Sequence, residues 1–377
     1  MIVDSTALPE HAVRDIVNAA FRSAGQRCSA LRVLYVQADI SDKLIRMLKG
    51  AMDELTLGQP WDLFTDVGPV IDAAAHKTIA DHIGAARAEG RVLHELAAPK
   101  DGTFIAPTVI RVAGISDLSR EIFGPVLHVT TFKATELEQV IDAINATGYG
   151  LTFGLHTRID DRVQTIIDRV QAGNIYVNRN QIGAVVGSQP FGGEGLSGTG
   201  PKAGGPYYLP RLQQNPAPAN TGIWTGAEDM TTLPQRLTAT HASTHPPAPQ
   251  DLPGPTGESN RLSLSPRGPI LCMGPGVDAA TAQARAVTAL GGIAVLANGT
   301  VPASALNNLA PLAGVLWWGD TRAGAGYAAA LAARPGPILP LIAGLPDAAH
   351  VLHERHVCID TTAAGGNAAL LAEVGAA

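Results

Sequence analysis

Cys28 is the residue best placed to do chemistry, in the segment Phe21-Arg-Ser-Ala-Gly-Gln-Arg-Cys-Ser-Ala. A Gly-Gln pair ends a helical stretch and a β-rich stretch follows, so the spacing predicts a turn with an exposed sulfur atom. A thiolate attacks carbonyl carbon atoms, and Arg27 with nearby backbone N–H groups would favour that ionised form. Without further context, a buried structural cysteine is the commoner case.

Two later segments contain residue types that suit a binding site. One is Glu121-Ile-Phe123-Gly-Pro-Val, and the other is Pro190-Phe191-Gly192-Gly193 with Gly195-Leu-Ser-Gly198 behind it. Either segment alone is weak, because turns rich in glycine and proline are common. Considered by itself, Glu121 would be interpreted as a cap at the start of a helix, and Phe123 as a core side chain.

The elements that must position these residues alternate from residue 1 to about 212. We expect strands at 1–4, 32–36, 92–96, 126–132 and 175–177, and helices at 9–24, 41–55, 72–89, 136–146 and 160–171. Ser41 is expected to cap the second helix. This alternation predicts an α/β fold with a mostly parallel sheet.

The region from 216 to 255 contains eight prolines and indicates a linker. Beyond it, strands at 268–271, 293–296, 315–318 and 337–342 alternate with helices at 277–290 and 322–333, which predicts a smaller α/β layer. Gly274-Pro-Gly276 follows a strand as in dinucleotide-binding turns. Ala279 stands where the third glycine would be, so a structural role is expected.

Composition excludes several classes of function. The net charge is −6 and Lys/Arg-rich runs are absent from the sequence, so a nucleic-acid partner is not expected. Three widely spaced cysteines suit a reducing cytoplasm and not a disulfide framework. Apolar runs are too short for a transmembrane segment. His350, His353 and His356 precede no acidic cluster, so we expect packed or solvated histidines and no metal site.

Gly25-Gln26-Arg27-Cys28, the 121–126 segment and the 190–198 loop together resemble signature segments of the aldehyde dehydrogenase superfamily, in the same order. The resemblance covers 1–212. It implies that Cys28 attacks an aldehyde, that hydride passes to NAD and that water hydrolyses the resulting thioester. It also implies that Glu121 binds the nicotinamide ribose hydroxyls and that Phe123 packs beside the nicotinamide.

Residues 26–34 and 189–206 are similar to glutamate-semialdehyde dehydrogenases, above all to the C-terminal part of bifunctional proline utilization A proteins. This implies NAD-dependent oxidation of L-glutamate γ-semialdehyde to glutamate, the second step of proline catabolism. Ser29 and Gly183-Ala184 would anchor the substrate's carboxylate and amine, and Phe191 would wall its aliphatic part. FAD would belong only to the proline dehydrogenase part of such proteins, which this chain does not include.

The resemblance also covers 268–342, similar to an additional α/β domain, and 355–367, similar to a tail motif that helps close a tunnel. We therefore expect four regions: an aldehyde dehydrogenase catalytic domain at 1–212 without its N-terminal NAD-binding part, a linker at 213–260, a small Rossmann-like α/β domain at 261–345 and a tunnel-closing tail at 346–377.

In the superfamily, the main NAD-binding unit, the general-base glutamate and the oxyanion asparagine lie upstream of the cysteine, where 27 residues stand here. The resemblance thus implies a fragment that is inactive alone, from a cytoplasmic homo-oligomer in which Tyr207-Tyr208-Leu209 reaches a second subunit. Two alternatives remain: a non-catalytic oligomerisation or interaction remnant, and a dehydrogenase for another small aldehyde that differs at Ser29 and 183–188.

Overall fold

The computed structural model describes residues 1–198, 200–213, 215–218, 222–242 and 247–362. The chain divides into two compact units. The first comprises 1–185, 253–260 and the chain from 357 onward, and the second comprises 186–252 and 261–356. Two strands, Glu258–Pro266 and Leu352–Asp360, contribute residues to both units.

The first unit is built on a mostly parallel sheet. Its strands are Ile2–Val3 (β1), Val33–Gln37 (β2), Val92–Glu95 (β3), Thr108–Arg111 (β4), Val126–Phe132 (β5), Tyr149–Gly150 (β6), Thr152–His156 (β7) and Asn174–Val177 (β8). Its helices are Pro9–Phe21 (α1), Ala38–Asp53 (α2), Ala73–Ala88 (α3), Leu137–Asn145 (α4) and Asp160–Arg169 (α5). Seven of these strands, all except β6, lie in the sheet in the order β8-β7-β1-β2-β5-β4-β3, with β3 antiparallel at the edge.

Strand β2 shows how this sheet separates two hydrophobic cores. All five of its residues are buried, as expected for a parallel strand covered on both faces. Leu34 and Val36 pack in the core shared with α1 and α2, while Val33 and Tyr35 pack in the core shared with α4 and α5. The predicted α/β architecture is therefore confirmed, and β2 lies at its centre between β1 and β5.

Helix α2 begins earlier than the sequence pattern predicted. It starts at Ala38 directly after β2, with Gln37 at the N-cap. Ser41 lies inside the first turn, where its hydroxyl donates to the Ala38 carbonyl oxygen at 3.0 Å. The prediction of Ser41 as the N-cap was wrong, because its hydroxyl bonds back to the preceding turn and not forward to a free N–H.

The second unit has a smaller parallel sheet. Its elements are strands Glu194–Gly195 (β9), Gln250–Leu252 (β10), Glu258–Pro266 (β11), Ile270–Cys272 (β12), Ala294–Leu296 (β13), Gly314–Leu316 (β14), Leu341–Ile342 (β15) and Leu352–Asp360 (β16), and helices Tyr208–Arg211 (α6), Leu233–Ala239 (α7), Gly276–Ala289 (α8), Thr321–Ala332 (α9) and Ala348–Val351 (α10). The sheet order is β13-β12-β14-β15. Helix α7 and strand β10 lie inside the proline-rich stretch.

The turn between β12 and α8 contains Gly274 and Gly276, and the chain itself fills its open side. The Trp224 indole N–H donates to the Met273 carbonyl oxygen at 2.7 Å. A Cβ atom on Gly276 would lie 3.2 Å from backbone atoms of Ile223. Residues 222–224 thus occupy the space in front of these glycines, which fits the structural role expected from the sequence.

The tail motif is only partly described. Residues 352–360 form β16, in which Arg355 pairs with Glu194 at 3.1 Å, and the motif from 363 onward lies outside the described residues. Among the helices that can be described, none has the length and apolar character needed to cross a membrane.

Candidate active site

The turn that carries Cys28 connects α1 to β2. It passes through a short 3-10 segment, Arg22–Gly25, where three consecutive residues have φ angles of +54°, +52° and +63°. This left-handed backbone costs a non-glycine residue about 1–2 kcal/mol, so surrounding contacts must hold the turn in place. Cys28 is exposed, as predicted, whereas the other two cysteines of the chain are buried.

Backbone and side-chain hydrogen bonds fix both sides of this turn. The Leu31 N–H donates to the Ala19 carbonyl oxygen at 2.9 Å, which ties the residues after Cys28 to α1. The Gln26 amide oxygen accepts from the Ile71 N–H at 2.9 Å. The glutamine of the Gly-Gln pair therefore holds a neighbouring loop against the turn.

A direct backbone approach joins the turn to the segment that bears Glu121. A Cβ atom on Gly25 would overlap the Gly124 carbonyl group. A Cβ atom on Gly124 would in turn overlap the Ile79 side chain. Glycine is thus required at position 25 for the two segments to lie this close, whereas a side chain at position 124 would have to displace the end of the Ile79 side chain.

Arg32, just before β2, is the residue that the sequence patterns did not reveal. Its Nη1 donates to the Gly25 carbonyl oxygen at 2.6 Å and to that of Gly124 at 3.2 Å, and its Nη2 donates to that of Arg27 at 3.1 Å. The guanidinium of Arg27 instead donates to the Ser23 hydroxyl at 2.9 Å. Arg32, and not Arg27, is thus the cation bound at the core of the turn.

The same guanidinium contacts both residues expected at the cofactor. Arg32 Nε donates to Glu121 Oε1 at 2.9 Å, and its Cζ lies 4.8 Å from the centre of the Phe123 ring. Burial lowers the pKa of Arg32, whereas the nearby Glu121 and Cys28 charges favour its charged form. The structure therefore brings the predicted residues Glu121 and Phe123 to the Cys28 turn through one shared partner.

Glu121 and Phe123 do not have the positions that each residue would suggest by itself, namely a helix cap and a core side chain. Glu121 caps no helix, and its side chain is 53% exposed beside Arg32. The Phe123 ring is 44% exposed, whereas Ile122 between them is buried in the core. The segment therefore presents its carboxylate and its aromatic ring outward, where a ligand can reach them.

Ser29 lies on the buried side of the nucleophile turn. Its carbonyl oxygen accepts from the Gln181 side-chain amide at 3.2 Å. Gln181 is itself buried and stands two residues before Gly183, which is exposed with φ +75°. Gln181 thus connects the turn to the Gly183-Ala184 loop, a contact that sequence reasoning missed.

Phe191 belongs to the second unit. It is half-buried and pairs with Ala203 through backbone hydrogen bonds of 3.0 and 2.8 Å, which close the glycine-rich loop on itself. Buried Lys202 in this loop donates from its backbone to a Glu354 carboxylate oxygen at 2.8 Å. Burial lowers the pKa of the Lys202 amine to about 7, against the opposing charge of Glu354.

The described residues contain no group of three or more metal-ligand side chains arranged to hold an ion. His350 caps the short helix α10, where its Nδ1 accepts from the Asp347 N–H at 3.1 Å. His356 is fully buried, and burial lowers the pKa of His353 to about 4. All three tail histidines are thus packed into the second unit.

Comparison with known proteins places the chain among similar sequences. The aldehyde dehydrogenase family model matches residues 1–215. The bifunctional protein PutA of Salmonella typhimurium is 41% identical over 428 residues, which cover 98% of this chain and 32% of that protein. The 1-pyrroline-5-carboxylate dehydrogenase of Bacillus cereus is 38% identical over 214 residues, covering 55% of this chain and 41% of that protein. The chain thus spans less than half the length of either relative.

Solved structures are similar as well. A crystal structure of a bifunctional proline utilization A protein is 55% identical, with a TM-score of 0.54, and the match covers 56% of this chain and 22% of that one. The proline utilization A protein of Bdellovibrio bacteriovorus is 33% identical, with a TM-score of 0.53 over 55% of this chain and 22% of that one. Because the family model covers more than half of the sequence, the chain belongs to the aldehyde dehydrogenase family.

Proposed function

We propose that a protein containing this chain oxidises L-glutamate γ-semialdehyde to L-glutamate, with NAD as the hydride acceptor. The main observation behind this proposal is that the Cys28 thiol is exposed on a turn, and that Arg32 joins this turn to Glu121 and Phe123. Relatives named PutA and 1-pyrroline-5-carboxylate dehydrogenase support this substrate. Since the chain spans about a third of PutA, the activity is proposed for a protein that has the remaining parts of the family fold.

The proposed chemistry begins at Cys28. Its thiolate sulfur forms a bond to the aldehyde carbon, and the carbonyl oxygen becomes an oxyanion that the residue's own backbone N–H can stabilise. When bound, NAD supplies the acceptor for a hydride. Loss of hydride from the thiohemiacetal carbon leaves a thioester on Cys28. Water then adds to the thioester, the C–S bond breaks, and glutamate and the thiol are released.

The residues present fit NAD. The exposed Glu121 carboxylate can accept hydrogen bonds from two vicinal ribose hydroxyls. The exposed Phe123 ring offers an apolar face to the nicotinamide. Arg32 holds both beside the Cys28 turn, where hydride transfer would take place.

Ser29 and the Gly183-Ala184 loop are the proposed anchors of the substrate's carboxylate and amine. A serine hydroxyl and backbone N–H groups are donors to a carboxylate without adding a mobile charge. Gln181 supports this assignment because it contacts Ser29 and stands two residues before the loop. Phe191 is the proposed wall for the aliphatic part of the substrate.

The first experiment measures NADH formation from glutamate semialdehyde and NAD. The 377-residue chain is compared with the same chain extended upstream by the nucleotide-binding segment of its relatives, and Cys28→Ala is the control in each. We expect NADH from the extended protein and none from its Cys28→Ala variant. A folded extended protein that forms no NADH would overturn the proposal, as would activity that survives Cys28→Ala.

A second experiment separates glutamate semialdehyde from other small aldehydes. In the active protein, Ser29→Ala should raise KM for glutamate semialdehyde by about tenfold, because the substrate carboxylate loses a donor. KM for propionaldehyde, which has no carboxylate, should stay unchanged. Equal effects on both substrates would favour a dehydrogenase for a simple aldehyde.

We also propose that the protein acts in the cytoplasm as a homo-oligomer. None of the three cysteines, all of which lie in the described part of the chain, forms a disulfide, as expected in a reducing compartment. Tyr208 and Leu209 are 42% and 72% exposed, which suits a contact with a second subunit. Sedimentation of the extended protein tests the assembly, and Leu209→Ser should weaken it.

A further inference from the structure

Arg32 contacts five groups on two separate segments of the first unit. We infer that Arg32 is a positioning residue that couples the nucleophile turn to the segment carrying Glu121 and Phe123. This inference rests on the proposed function, because it concerns the same site. It adds a residue that acts through the nucleophile turn and through Glu121 and Phe123.

The geometry of the contacts requires an arginine. Two carbonyl oxygens, those of Gly25 and Gly124, share the single nitrogen Nη1, while Nε reaches Glu121 and Nη2 reaches Arg27. A planar guanidinium offers donors in several fixed directions at once, whereas a lysine ammonium is a compact charge on a flexible stem. Lysine could keep the charge at this place but not the full set of contacts.

The close approach of Gly25 and Gly124 explains why a cation is needed there. With no side chain between the segments, the two carbonyl groups point at the same guanidinium. Carbonyl oxygens carry negative partial charge and repel each other, so a shared donor stabilises this approach. Removing Arg32 leaves both carbonyl oxygens without this donor and the segments free to separate.

The bond to Glu121 acts mainly through orientation. An exposed ion pair contributes little to stability, and Glu121 is more than half exposed. Arg32, by contrast, is only 15% exposed and is fixed by three carbonyl groups. The buried partner therefore determines where the carboxylate lies relative to Cys28.

The test reads the reactivity of Cys28 in the 377-residue chain, without substrate or cofactor. Alkylation by iodoacetamide at neutral pH is followed for each cysteine by peptide mass. Because three carbonyl groups lose their shared donor, Arg32→Gln should loosen the turn and speed Cys28 alkylation by about fivefold. Arg32→Lys keeps the charge but not the full set of contacts, so it should speed the reaction by a smaller factor, about twofold. Arg87→Gln, which removes the arginine of the Arg87–Glu95 pair, is the matched control and should have no effect.

Buried Cys358 in the same unit separates positioning from a merely structural role. Global unfolding exposes all thiols, so it would make Cys358 reactive as well. Positioning predicts faster alkylation at Cys28 and no reaction at Cys358. Faster alkylation at both cysteines in Arg32→Gln and Arg32→Lys, or an unchanged rate at Cys28, overturns the inference.

A double-mutant cycle tests the coupling to Glu121 directly. Glu121→Gln weakens one of the contacts that hold the guanidinium and should speed Cys28 alkylation by about twofold. In the Arg32→Gln background the same change should have no effect, since the coupling runs through the guanidinium. Equal effects in both backgrounds would show that Arg32 is not the link.

Steady-state kinetics of the active, extended protein test the same coupling during catalysis. Arg32→Lys should raise KM for NAD by about tenfold through misplacement of Glu121, with a smaller fall in kcat. A fall in kcat with unchanged KM for NAD would contradict the coupling. An inactive extended wild type would overturn the proposed function but leave the alkylation result standing, so the two failures are distinguishable.

Discussion

Gly25 shows how one missing side chain can shape the candidate site. Its φ angle is +63°, and its Cα faces the Gly124 carbonyl group without room for a methyl group. The glycine of the Gly-Gln pair thus has two independent reasons to be glycine: a left-handed backbone and a close backbone contact. The motif could be recognised from the sequence, whereas the partner of the glycine could not.

Gly25→Ala should destabilise the first unit by about 2–4 kcal/mol, because left-handed alanine and overpacking each contribute. Urea unfolding of the wild type and the variant measures the difference. Gly84→Ala is the matched control, since nothing lies within 4 Å of the added Cβ on helix α3. That variant should gain about 0.5–1 kcal/mol from helix propensity, and a similar loss at both positions would contradict the contact.

Helix α3 meets strand β5 through a pair of histidines. His82 and His128 share a hydrogen bond of 2.9 Å between their Nε2 atoms. His128 Nδ1 lies 3.0 Å from the Arg32 carbonyl oxygen, which can only accept, so Nδ1 carries the proton. His128 Nε2 is then the acceptor and His82 is the donor.

Acid should therefore destabilise the contact between α3 and β5. Burial lowers the pKa of His128 to about 4, below its ordinary value of 6.5. Between pH 6.5 and pH 4 the unfolded chain therefore binds more protons than the folded chain. The contribution of His128 to the free energy of unfolding is fully present above pH 6.5 and is lost as the pH falls toward 4. This histidine contributes roughly 3 kcal/mol to that fall.

Unfolding free energies measured across this pH range test the effect. His128→Gln supplies a neutral side-chain amide that can still form hydrogen bonds and removes the titration, so its pH dependence should be flatter than that of the wild type. His156 and His353, with pKa values lowered by burial to about 3 and about 4, should contribute to the slope that remains. An identical slope in both proteins would show that His128 does not titrate as proposed.

Elements with strong periodicity were predictable from the sequence, and isolated short ones were not. Strand β5 was predicted at its exact bounds, since it is a run of β-branched and apolar residues. Strand β7, Thr152–His156, was missed because a glycine interrupts a run of only five residues. Arg32 was missed because its bond to Glu121 joins residues 89 positions apart, and local patterns contain no such information.

At the scale of the whole molecule, the two units have separate hydrophobic cores. Each contains one buried cysteine, Cys358 in the first and Cys272 in the second, and burial raises the pKa of both thiols to about 12. Cys28 alone is exposed. Cysteine accessibility thus reports on the site and on both cores.

Thiol titration with Ellman's reagent should find one reactive cysteine in the native chain and three after denaturation. Cys28→Ser should abolish the native reaction and leave two thiols in the denatured protein. A second reactive thiol in the native chain would show that one core opens on the timescale of the assay. The position of that thiol, read by peptide mass, would identify the unit.

In the second unit, the turn that contains Gly274 and Gly276 is already filled by the chain itself, so any ligand would have to compete with that segment. Residues 222–224 act toward Gly274 and Gly276 as a ligand on a covalent tether. Because the segment is part of the same chain, it competes intramolecularly, and a free nucleotide would have to displace it before any phosphate contact could form.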